Sequence, residues 1–204
     1  MPKFDLDKRT NLEPGIGKIL ISEPYISDPL FFRSIVLITA HDDEGTMGFI
    51  LNHPPRVLPK ILKSSTGEPI LFNESSYKHI TIGGPVAENE FFIIHDQGNL
   101  LGGQHIIEDI HLGISNNENL KGMEYDRFLE FHAPNARSKY FLGSAGWEKG
   151  QLLEEIKMGS WFVTEYNKDL VFSINYENLW KQAIYTLGKE FSYFSTLPIH
   201  PQLN

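Results

Sequence analysis

The sequence contains no cysteine. That excludes disulfides, thiol nucleophiles and thiolate metal sites, and it fits a reducing compartment. No Lys/Arg-rich run occurs either, and the formal net charge is −8. A chain of that sign repels nucleic acid and anionic membrane on average, so direct nucleic-acid binding is disfavoured. Long apolar runs are missing too: none approaches the roughly 18–20 residues of a membrane span. The opening MPKFDLDKRTNLEPG lacks the apolar core of a secretory signal. The expectation is a cytoplasmic protein with no membrane partner.

What is present is globular: 204 residues, 41% hydrophobic and 22% charged, enough for a substantial core. Residues 1–14 are polar and end at Pro14, which predicts a flexible arm; 15–204 read as a single domain. GKILIS (17–22) and the continuous apolar run SIVLITA (34–40) predict strands, the second buried on both faces. DDEG then turns the chain into TMGFILN (46–52), a hairpin. The prolines of HPPRVLP stop the pairing, with a short helix around 56–64 and a polar loop over 64–78. HITIGG (79–84) and FFIIHD (91–96) are further strands, and 105–115 holds one or two short ones. NNENLKGM opens with capping residues and suggests another short helix. SWFVTE and DLVFSI flank YNK as a hairpin would. Leu179, Trp180, Ala183, Ile184 and Leu187 mark one face of a helix between an N-cap Asn175 and a stop at Gly188; the tail FSTLPIHPQLN reads as irregular. Strands scattered among a few short helices make the class α+β.

The stretch YFLGSAGWEKGQLLEEI has the outline of a strand, a glycine turn and a helix. It fits neither G-x-G-x-x-G nor G-x-x-x-x-G-K-[ST]. Glu148, Glu154 and Glu155 would also repel a phosphate from the helix start, so a structural corner is the better reading. Glu154 and Glu155 read as a solvated helix face. Trp161 and Trp180 read as core, and Trp147 as a cap folded over it.

The same stretch resembles the signature of the YqgE/AlgH family of uncharacterised bacterial proteins, approximately FLGYAGW-x-x-GQLE-x-E[IL]. GKILISEPYISDPLFFRSIVLITAHDDEGTMGFILNHP, IGGPV with FFIIH, and LVFSINYENLWKQAIYTLG agree in order, covering about residues 15–190. Ser144 stands where the family has an aromatic, and Leu153 where it has the Glu of GQLE. The resemblance implies a mixed, largely antiparallel bifurcated sheet forming a pseudo-barrel, flanked by a few short helices. It implies no established activity. The family label, transcriptional regulator, meets an acidic chain with no helix-turn-helix pattern and no basic stripe.

Catalytic motifs are also missing. There is no H-E-x-x-H or H-x-H among the eight histidines and no G-x-S-x-G, so no metal, cofactor or catalytic serine is assigned. On one strand His105 and His111 would stand about 20 Å apart. Polar residues at strand ends and glycine turns instead suggest one ligand cleft: His41, Asn52, Gly83, Gly84, His95, Trp147 and Gln151. The leading expectation is a non-enzymatic module that binds a protein or small ligand. The alternative is a metal-independent hydrolase using a His/Asn/Glu cluster, which needs those groups within hydrogen-bonding reach of one another.

Overall fold

The computed structural model describes residues 12–56, 62–63, 69–70, 76–113 and 133–199. The helices read over 56–64 and 116–123, the loop over 64–78 and the arm over 1–14 fall wholly or largely outside these residues. Strands β1 (Ile19–Ser22), β2 (Ile35–His41) and β3 (Gly45–Ile50) come first, and the pair β4 (Leu62–Lys63) and β5 (Pro69–Ile70) forms a separate ladder. Next are β6 (Ile80–Ile82), β7 (Val86–His95), α1 (Gly98–Leu101), β8 (Gln104–Ile107) and β9 (Ile110–Leu112). The chain closes with β10 (Ser138–Glu148), α2 (Gln151–Met158), β11 (Trp161–Thr164), α3 (Lys168–Phe172), α4 (Tyr176–Thr186) and a 3₁₀ segment, Lys189–Thr196.

The main sheet runs β11-β1-β2-β3-β10-β7-β9-β8. Its fork is β10. The later half of β10 pairs antiparallel with β3, from Ala145↔Gly48 to Glu148↔Gly45. Its earlier half pairs parallel with β6 and, on the other edge, antiparallel with β7. This is the bifurcated α+β arrangement that the resemblance implies. The sheet curls into a half-barrel: Ile107 of β8 lies only 2.7 Å from where a side chain on Gly17, just before β1, would begin.

Period-two alternation explains how SIVLITA is apolar throughout. Ile35 and Leu37 join Ile19, Ile21, Phe49 and Phe141 in one core, closed by Leu170, Leu179, Trp180, Ile184 and Phe191 from α3, α4 and the 3₁₀ segment. Val36 and Ile38 face the other way with Leu20, Trp147, Leu152, Trp161 and Val163, under α2.

Three expectations are revised. DLVFSI is not a strand: Asn167 accepts from the Leu170 amide as an N-cap and starts α3. The strand read as FFIIHD begins earlier, because Val86–Glu90 also belongs to β7. Of the three glycines in the signature stretch, Gly143 and Gly146 lie within β10, and only Gly150, in the left-handed conformation, makes the corner. The helix read from Leu179 to Leu187 is α4, between Asn175 and Gly188. Among the described residues no helix is long and apolar enough to cross a membrane.

Candidate functional site

The corner from β10 into α2 builds a fixed polar centre. Trp147, near the end of β10, is 4% exposed, and Trp161, opening β11, is 1% exposed. Their indole nitrogens lie inside an apolar layer and need an acceptor. Glu155 supplies it: Oε2 accepts from Trp147 Nε1 at 2.9 Å and from Trp161 Nε1 at 2.7 Å. Oε1 accepts from Gln151 Nε2 at 2.9 Å, a pair one helical turn apart. Gln151 Oε1 in turn accepts from the Glu148 amide. The reading of Glu155 as a solvated helix face is therefore corrected. Phe31 stacks on Trp147, with centroids 5.8 Å apart and planes 26° apart, and meets Trp161 edge-on.

Beside this centre runs a groove of about 260 Å³, between the segment carrying Ile26, Asp28 and Phe31 and the wall made by Trp147, Gln151 and Glu155. Of the seven residues assigned to one cleft, the structure brings Trp147 and Gln151 together here. His41 lines a different groove, of about 520 Å³, with Thr46, Lys149 and Leu153; its Nδ1 is 2.7 Å from Thr46 Oγ1.

Asn52 stands at the opposite end of the hairpin from His41. In an antiparallel pair the C-terminal ends of the two strands point apart, here by about 20 Å of strand. The Asn52 side chain clasps backbone, accepting from the Ile35 amide and donating to the Arg33 carbonyl. Gly83 and Gly84 press against β10: a Cβ on Gly83 would lie 2.2 Å from the Gly143 carbonyl oxygen, and one on Gly84 2.3 Å from that of Ser144. They serve close backbone packing.

His95 is fully buried. Its Nδ1 accepts from the Gln97 amide, so its proton sits on Nε2, which donates to the Gly113 carbonyl. Burial holds its pKa below the ordinary value, against the opposing effect of that carbonyl bond. The strand pairings His95↔His111 and His105↔His111 set three histidines side by side. His105 and His111 are thus cross-strand neighbours in a hairpin, with ring centroids 5.3 Å apart, and do not occupy one strand. Among the described residues no group of three His, Asp or Glu is placed to hold a metal.

An AlgH-like family model, DUF179, matches residues 19–192. The chain belongs to the AlgH-like family. A UPF0301 protein of Cytophaga hutchinsonii is 34% identical over 190 residues, covering 92% of this chain and 98% of the relative. One from Parabacteroides distasonis is 35% identical, covering 94% and 92%. The solution structure of the AlgH protein from Pseudomonas aeruginosa shares the fold at a TM-score of 0.62 and 24% identity, covering 94% of this chain and 99% of that one. A crystal structure of a Corynebacterium diphtheriae protein does so at 0.66 and 20%, covering 94% and 97%.

Within this AlgH-like fold, the two departures from the signature fall in different places. Ser144 is buried in β10 at a register shift against β7, and Leu153 is exposed beside the His41 groove. Sequence reasoning also missed Lys139, which is fully buried. Its Nζ donates to the carbonyls of Leu51 (2.7 Å) and Ser173 (2.8 Å) and lies 5.0 Å from the Tyr176 ring. Burial lowers its pKa to about 7. A lone charge in the apolar run KYFL was the available signal. Elsewhere Lys168 bridges Asp96 and Asp109. Burial opposes the Asp96 charge, but bonds from Gln97, the Arg137 amide and Lys168 outweigh it and keep that carboxyl below its usual range.

Proposed function

We propose that this chain is a non-enzymatic binding module that engages a protein or small-ligand partner through the groove beside α2. The observation that carries the reading is the Glu155 carboxylate, held by two buried indoles and Gln151 next to that groove. Its side-chain geometry is set before any partner arrives, so little ordering entropy remains to oppose binding. The bonding of the three groups supports this reading over the hydrolase alternative. His41 is bonded to Thr46, His95 to Gly113 and Gln97, and Glu155 to the indoles and Gln151, so each is engaged by its own neighbours and no bond links one of the three to another. Gene regulation, if this chain takes part in it, proceeds through such a partner, since the net charge of −8 opposes direct contact with DNA.

A photo-crosslinking residue at Gln151, compared with one at the 72%-exposed Met158 on the same helix, tests the reading in the host cell. A discrete adduct at 151 and none at 158 is expected. Equal labelling at both positions, or at neither, overturns it.

A further inference from the structure

Resting on that reading, we infer that the groove receives the guanidinium group of an arginine side chain presented by a partner protein. Two acidic residues, Asp28 and Glu155, line it, and among the described residues no Lys, Arg or His does. All the ionisable side chains of the lining are therefore acidic. Its apolar part is aromatic: Phe31 and Trp147 stack on one another, and Phe31, only partly buried, is the ring whose outer face a flat cation can reach. Guanidinium matches both features, because it is planar, always charged, stacks on aromatic rings and donates in a fork to carboxylates. Ammonium would satisfy the charge but not the stacking.

Donors already occupy part of the acceptor capacity of Glu155. An ionised carboxylate has about four acceptor directions, so a further donor can be accommodated. Asp28 uses Oδ1 to cap the Leu30 amide, which fixes its orientation. At about 260 Å³ the groove is smaller than the roughly 300–1,000 Å³ of ordinary small-molecule sites, which suits one side chain better than a ligand of several groups. Ser27 and Ser160 are also in the lining, and a serine hydroxyl can accept from a guanidinium N–H.

The test uses the full chain and the indole N–H resonances of its three tryptophans. Trp180 serves as the internal control, because its Nε1 is buried and bonded to the Ser22 carbonyl. Titration with N-acetyl-arginine amide should shift the Trp147 and Trp161 indole signals saturably and leave Trp180 in place. The neutral isostere N-acetyl-citrulline amide should bind at least about fivefold more weakly. Asp28→Asn keeps the cap and removes one charge, and should weaken binding about two- to fivefold while unfolding as wild type does. Equal binding of the citrulline probe, no shift with any probe, or equal shifts of all three indoles overturns the inference. So does binding of agmatine without binding of the capped arginine, which would assign the groove to a free small cation. The crosslink at Gln151 is judged separately, so a groove that binds a partner by other chemistry remains distinguishable from one that binds nothing.

Discussion

Replacing Lys139 with methionine should change how stability depends on pH. Burial lowers the Lys139 pKa from 10.5 to about 7, a gap worth about 5 kcal/mol. In the unfolded chain the amine keeps its proton until near 10.5; in the fold it releases it near 7. Between those values the unfolded state holds one more proton. Wild-type stability therefore gains about 1.4 kcal/mol per pH unit from this group. Below the folded pKa both states are protonated and the full burial penalty stands; above the unfolded pKa both are neutral and it has gone. Methionine does not titrate, and it leaves the Leu51 and Ser173 carbonyls without this donor, a loss of about 1–3 kcal/mol each that does not vary with pH. The wild-type minus variant difference should thus climb by about 2.7 kcal/mol between about pH 7.5 and 9.5. Urea unfolding at several pH values, followed by tryptophan fluorescence, measures it. Parallel profiles would refute the reasoning, because they would mean that the two carbonyls and the Tyr176 ring solvate the ammonium as well as water does.

Glu155→Ala should lower unfolding free energy in urea by about 2–4 kcal/mol, since it strands two buried indole donors, whereas Glu155→Gln keeps an acceptor and should lose less. Gly84→Ala places a Cβ 2.3 Å from the Ser144 carbonyl oxygen at a φ of +151°, and should destabilise by at least about 3 kcal/mol or leave no soluble protein. His95 should be less than half protonated at pH 6.5, with its proton on Nε2, by nitrogen-detected ring NMR. Its depressed pKa means that the unfolded chain takes the proton first, so its contribution to stability is lost as pH falls through 6.5 toward the folded value.

The sheet was legible where pattern is local. SIVLITA, the DDEG turn and the face of α4 carry their own periods, and each appears where it was read. DLVFSI was not legible because its apolar residues suit a strand and a short helix equally, and the Asn167 cap decides between them. The candidate site suffered from a different limit. Strand-end residues were grouped by type, but antiparallel pairing sends His41 and Asn52 to opposite ends of one hairpin. Glu155 looked like surface because the acceptor that Trp147 and Trp161 require is a property of three elements meeting. Lys139 left a local trace, a charge within an apolar strand, while its acceptors come from distant segments.

The placement of β1 between β2 and β11 has a consequence for how the chain is made. β2 and β3 lie just after β1 in sequence, but its other neighbour is β11. The Lys18–Glu165 ion pair beside that ladder joins residues 147 apart. At ~5–20 residues per second, roughly 7–30 s of synthesis separates one edge of β1 from its partner. Meanwhile β3 and β7 also wait for β10. A ribosome-bound intermediate would carry several open strand edges made of Ile, Leu, Val and Phe, a hazard for pairing with other chains. The strand order thus predicts slow refolding from denaturant and a benefit from chaperones during translation.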